Sequence, residues 1–103
     1  MPEYNKIKYW NRLDSEMKEK IMLRSKAKTL GPIVRIGKSG LTDSMIGEIN
    51  KNLIKRKLIK IKLLKSPGDR NEKENLITSI VEKTHSELID SVGNVIVLYK
   101  KQL

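Results

Sequence analysis

The 103 residues contain no cysteine, no phenylalanine, one histidine, one tryptophan and three tyrosines. Without thiols there is no disulfide, no thiolate zinc site and no cysteine nucleophile. A lone histidine, His85, leaves too few ligands and bases for most metal sites and catalytic triads. Long apolar runs are also missing. The best candidates, "LIKIKLL" (58–64) and "NVIVLY" (94–99), fall far short of the roughly 20 residues of a membrane span, and lysines interrupt the first. The opening "MPEYNKIKYW" lacks the apolar core of a secretory signal, so a cytoplasmic location is expected. Carboxylates do not converge either: Asp69, Glu72 and Glu74 read as loop and helix-start residues. The expectation is a non-enzymatic protein with no cofactor, no metal, no small-molecule substrate and no membrane partner.

Positive charge is what the chain has in excess. Lys and Arg number 22 against 12 Asp and Glu, a formal net charge of +10. The excess is uneven. Residues 1–65 hold 17 basic and 6 acidic side chains, whereas residues 66–103 hold 5 and 6. Lysine and isoleucine are frequent throughout, as nucleotide bias would produce. Such bias does not explain why acidic residues fail to keep pace in the first 65 positions. A basic majority beside a near-neutral remainder implies a polyanion-binding surface. The length suits one domain, and an apolar content of 38% with mean hydropathy −0.47 suits a globular one with a charged surface.

Periodicity predicts a first helix from about Ser15 to Leu30, capped by Asp14 or Ser15, with Met17, Ile21, Leu23, Ala27 and Leu30 at helical spacing. Gly31-Pro32 is expected to stop it, the glycine taking a left-handed C-cap. "PIVRIG" (32–37) reads as a short strand. Thr42 can cap a second helix, with Asp43 at its positive end and Met45, Ile46, Ile49 and Leu53 along one face. "LIKIKLL" alternates, so Ile59, Ile61 and Leu63 are expected in the core and Lys60 and Lys62 on an exposed basic face. "KSPGDRN" (65–71) is a loop, and Asn71 with Glu74 has capping-box spacing for a third helix. Leu76, Ile77, Ile80, Val81 and Thr84 would be that helix's buried stripe, with His85 at its end favouring the dipole. Gly93-Asn94 makes a two-residue hairpin between "ELIDSV" and "VIVLYK". The predicted fold class is α/β: a small sandwich of a four-stranded mixed sheet with three helices, in the order α-β-α-β-α-β-β. At the N-terminus, Tyr4, Tyr9 and Trp10 alternate with Lys6, Lys8 and Arg12. They could stack on unpaired bases, but docking of a terminal segment on the core is the commoner outcome.

One stretch, "RIGKSGLT" (35–42), concentrates the chemistry. A strand-to-helix turn exposes unpaired N–H groups where the helix dipole is positive. Gly37 and Gly40 let that backbone approach a phosphate, and Lys38 adds a mobile charge beside Ser39. The arrangement would clamp a phosphodiester backbone, as the GXXG loop of KH domains does. It is neither a P-loop nor a dinucleotide fingerprint, because GxxxxGK[ST] and GxGxxG are both absent. Two glycines can equally well make nothing more than a tight turn.

Taken together, "LRSKAKTLGPIVRIGKSGLT", "LIKIKLL" and the terminal "VGNVIVLYK" resemble the CRM domain, the family of chloroplast RNA splicing and ribosome maturation proteins that includes the small bacterial YhbY proteins. The resemblance runs from about residue 20 to 100. Its landmarks are Leu23-Arg24, Ala27, Leu30, Pro32, the Gly37-Lys38-Ser39-Gly40 loop with Leu41-Thr42, Leu58-Ile59-Lys60, and Gly93. It implies an RNA-binding fold related to the C-terminal domain of translation initiation factor 3, with the GxxG loop in contact with RNA. Residues 1–19 would be an N-terminal extension and 20–103 the CRM domain. Stand-alone members are associated with pre-ribosomal large subunits and members with repeated domains with intron splicing, and a single copy favours the former. The "KSPGDRN" loop has no matched counterpart.

The expected activity is thus non-catalytic binding of RNA, in particular ribosomal RNA of a large-subunit precursor, by a monomer. General binding of DNA or other structured RNA is the alternative. The residues expected at the interface are Gly37, Lys38, Ser39 and Gly40, extended by Arg24, Lys26, Lys28, Arg35, Lys51, Lys55, Lys60 and Lys62.

Overall fold

A computed structural model describes residues 10–37, 40–64 and 68–101. From residue 15 on, the described residues form seven regular elements in the expected order: α1 (Ser15–Ala27), β1 (Val34–Ile36), α2 (Asp43–Arg56), β2 (Leu58–Leu63), α3 (Arg70–Thr84), β3 (Glu87–Val92) and β4 (Val95–Tyr99). The four strands form one mixed sheet in the order β1-β2-β4-β3. β1 and β2 are parallel, as a strand pair joined by a crossover helix must be, and the other two pairings are antiparallel. No helix among the described residues is long and apolar enough to cross a membrane.

The alternation of β2 decides what lies on each face. Ile59 opposes Leu98 and Ile61 opposes Ile96, so four large apolar side chains line one face at the two central strands. Ile49 and Leu53 of α2 and Ile80 of α3 cover that face, and all seven side chains are fully buried. Partly buried Met45, Leu76, Ile77 and Val81 complete the helix layer, so the predicted stripes on both helices face the sheet.

The other face departs from expectation. Leu58, Lys60 and Lys62 oppose Tyr99, Val97 and Val95 there. The sequence pattern suggested an exposed basic face, yet α1 lies across one end of it. Leu23 and Ala27 pack on Leu58, Val97 and Ile89, forming a second core cluster. Alternation within β2 identifies the lysines but carries no information about a helix arriving from 30 residues earlier. The covering stops before Lys62, Val95 and Val92, and Val92 is left 67% exposed.

A bulge in β3 between Leu88 and Asp90 locks α1 in place. Bulges leave a residue outside the ladder. Here the carbonyl of Ile89 accepts a hydrogen bond from Arg24 Nε at 2.9 Å. On the same side Lys60 Nζ donates to the Leu30 carbonyl at 3.0 Å.

Helix ends supply two more corrections. α1 stops at Ala27 rather than near Leu30, and Gly31 has no left-handed conformation. Three hydrogen bonds of turn type end it first: Lys28 to Ser25, Thr29 to Lys26 and Leu30 to Ala27, in each case N–H to carbonyl. α3 is capped by Asp69, not Asn71. Asp69 Oδ1 accepts from the Glu72 amide at 2.8 Å, and Glu72 Oε2 accepts from the Gly68 amide at 2.7 Å. This is capping-box logic begun two residues earlier, with Asp in the capping role. The other two caps match expectation, with Asp14 accepting from Met17 and Thr42 from Met45. His85 holds the left-handed C-cap of α3, with φ 52°.

Replacing Asp69 by Ala should therefore cost about 0.5–2 kcal/mol in urea unfolding. Asn71→Ala should stay within about 0.5 kcal/mol of wild type. The reverse order would return the cap to Asn71.

Candidate nucleic-acid interface

β1 ends at Ile36, and the chain turns at once into α2. The amide of Gly40 donates to the carbonyl of Gly37 at 3.1 Å, closing a four-residue turn. Gly40 has φ +75°, a conformation that strains any L side chain. Gly37 does not share that requirement. A Cβ on Gly37 would meet no atom within 4 Å, so neither backbone angle nor internal packing demands glycine there. Leu41 and the capping Thr42 then lead into α2. Lys38 and Ser39 lie outside the described residues.

The turn sits at the carboxyl end of two parallel strands. Ile36 is level with Leu63, and the Leu64 amide donates to the Ile36 carbonyl at 2.9 Å. Leu63 in turn donates to the Asn94 carbonyl at 2.7 Å, which brings the β3–β4 hairpin to the same end. In open sheets containing parallel strands this end is the usual place for ligands.

Arg35 stands level with Lys62 on adjacent strands, and both are exposed. Neighbouring strands are about 4.8 Å apart, so two like charges side by side oppose folding. Neither pairs with a carboxylate among the described residues, where the ion pair is Arg70 with Glu74 at 3.5 Å. Lys60 follows on the same face. With Arg24, Lys28, Asp90, Val92 and Val95 it lines a shallow depression of about 320 Å³ beside α1. Arg24 and Lys60 thus have structural bonds as well as surface positions, whereas the side chains of Arg35, Lys62 and Lys28 have none to the described residues.

Not all of the predicted basic residues meet. Lys51 and Lys55 are exposed on α2, two positions after the buried Ile49 and Leu53. That step turns them about 200° away from the sheet. They lie in the helix layer on the opposite side of the sheet from Lys60 and Lys62, and about 12 and 18 Å along α2 from its start. Lys26 belongs elsewhere again. It borders a larger cleft at the other end of β2, with Lys60 and with Arg56, Lys57 and Tyr99, three residues absent from the predicted interface. A run of cations ending α2 was legible in sequence, but nothing there reveals that it faces Lys26 across a cleft. Near the N-terminus, Lys18 Nζ sits 5.7 Å from the centre of the Trp10 ring, so Trp10 packs along α1. Tyr4, Tyr9, Lys6 and Lys8 lie outside the described residues.

Comparison with known proteins converges on one family. The CRS1 / YhbY (CRM) domain matches residues 16–100. A Bacillus subtilis protein named probable RNA-binding protein YqeI is 40% identical over 84 residues, which is 82% of this chain and 85% of that protein. A Haemophilus influenzae protein named RNA-binding protein is 35% identical over 83 residues, covering 81% and 82% of the two chains. Among solved structures, Staphylococcus aureus SAV1595 superposes with a TM-score of 0.71 at 37% identity, covering 84% of this chain and 88% of that one.

The two glycines should separate in a thermal melt. Gly40→Ala is expected to cost about 1 kcal/mol or more because of its positive φ. Gly37→Ala should stay within about 0.5 kcal/mol of wild type. Equal losses would show that the turn itself requires both.

Proposed function

Since this chain belongs to the CRS1 / YhbY (CRM) domain family, we propose that it binds structured RNA without transforming it, gripping phosphates at the Gly37–Gly40 turn and on the sheet face beside it. One observation carries this reading. A turn that needs only Gly40 for its own geometry also keeps Gly37 bare, next to an Arg35–Lys62 pair with no carboxylate among the described residues to neutralise it. Open backbone and unpaired cations both cost the free protein something, and a polyanion offsets both.

The physical roles follow. Gly37 and Gly40 shape the backbone, Lys38 supplies a charge, and Ser39 a hydroxyl donor. Arg35, Lys62, Lys60, Lys28 and Arg24 extend the positive surface across the uncovered sheet and the last turns of α1. Lys51 and Lys55 lie apart from that surface and would act only through the wider field, while Lys26 borders the cleft at the other end of β2. Phosphate contacts give affinity and register without reading sequence. The target we assign is ribosomal RNA in a large-subunit precursor, acted on during assembly. Support comes from the resemblance to stand-alone members of the family and from relatives named for RNA binding whose length this chain nearly matches.

The test compares wild type with the Lys38→Asp/Ser39→Asp pair on a folded large-subunit RNA fragment across a salt series. Wild type should weaken steeply as salt rises, with about 0.7–0.9 in log–log slope lost per phosphate contact. The variant should remain folded and lose most of its affinity. Equal binding by both would reduce the GKSG segment to a turn. Equal affinity for duplex DNA at the same salt would replace RNA recognition with general polyanion binding.

A further inference from the structure

The cleft at the far end of β2 adjoins the interface just described and shares Lys60 with it. It has a volume of about 810 Å³, within the range of small-ligand pockets. Its floor is apolar and partly aromatic, with Leu23, Leu58 and Tyr99, and its rim carries Lys26, Arg56 and Lys57. No acidic side chain among the described residues lines it. Cations at the ends of α1 and α2 suit the helix dipoles, so their presence alone proves little.

Lys57 is different. Its backbone has φ 68° and ψ −44°, although it is neither glycine nor asparagine. Such a conformation costs on the order of 1–3 kcal/mol and persists only where the surroundings impose it. They do so here: the Lys57 amide donates to Leu53 at 2.8 Å, and its carbonyl accepts from Lys100 at 2.9 Å. Glycine would fit the position without strain. A lysine held there against its backbone preference adds a cation to an apolar cleft already lined by Lys26, Arg56 and Lys60.

We infer that this cleft receives an unpaired nucleotide of the bound RNA, its phosphate against Lys26, Arg56 and Lys57 and its base against Tyr99 and the leucines. The inference rests on the RNA reading above and adds a second contact to it. β2, six residues of strand, separates the two contacts by roughly 17 Å. An RNA that spans them must present its backbone at the turn and an unstacked nucleotide at the cleft. Unpaired bases are the usual source of selectivity in RNA recognition, and the uncovered sheet face holds no aromatic of its own among the described residues.

Three variants test this on two probes, an RNA hairpin with a single-stranded extension and the same hairpin blunt-ended. Lys57→Gly removes both charge and strain, and Lys57→Gln removes only the charge. Both should lose the same affinity for the extended RNA and about 0.7 of its salt slope, while Lys57→Gly melts at the higher temperature. Tyr99→Leu keeps an apolar floor and should weaken the extended RNA roughly tenfold, leaving the blunt hairpin unaffected. Wild-type affinity in the Lys57 variants would overturn the cleft while leaving RNA binding intact. Equal losses on both probes would overturn the assignment of an unpaired nucleotide. If wild type bound neither probe, the RNA reading would fall and the cleft assignment with it.

Discussion

Ile59 and Ile61 are sealed from solvent between β1, β4 and the two helices above them, and the parity this imposes on β2 governs the rest of the molecule. With the isoleucines committed to one face, Lys60 and Lys62 must emerge on the other. That face cannot be wholly buried, because two lysines cannot be dehydrated without partners. α1 therefore covers only the Leu58 end, where Val97 and Ile89 offer apolar contact, and Lys60 is tied off on the Leu30 carbonyl at its margin. The uncovered end keeps Lys62 level with Arg35.

The same parity positions the turn. Because β1 runs parallel to β2, the chain must leave β1 at the end where β2 also finishes, and α2 carries it back. The Gly37–Gly40 turn consequently opens beside Lys62 and the β3–β4 hairpin. Backbone groups at a helix start and side-chain cations on a sheet thus share one edge. Little in this arrangement stabilises the free domain: neighbouring like charges, a bare glycine and exposed Val92 all weigh slightly against it. Surfaces that cost the free protein stability are reasonable places to look for a partner.

Much of this was legible in the sequence because the relevant signals are local. Alternation in 58–63, the Gly93-Asn94 hairpin, Thr42 as a cap and the Ile49–Leu53 and Ile80–Thr84 stripes each depend on residues a few positions apart, and each appears as expected. What escaped depends on distant contacts or on competition between neighbours. Asn71 and Asp69 both suit a cap, and only the placement of the loop decides between them. The turn that ends α1 at Ala27 forms before Gly31 is reached. The partial covering of the second face requires α1 to find a bulge in β3, which no period reveals. For the interface, residue type identified the cations but not their grouping. Lys51 and Lys55 stand on the far side of the sheet, and Lys57 reveals its strain only in its dihedral angles.

Binding is expected to be one-sided: RNA meets the sheet face carrying Arg35 and Lys62, with the adjoining turn and cleft, and leaves the outward face of the α2–α3 layer bare. Amide chemical shifts followed during titration with a folded ribosomal RNA fragment test it most directly. Large perturbations are expected at Gly37, Gly40, Arg35, Lys62 and Leu64, with residues such as Lys51, Lys55 and Glu82 on the helix layer unmoved. Perturbations concentrated on that layer, with the turn unmoved, would contradict it.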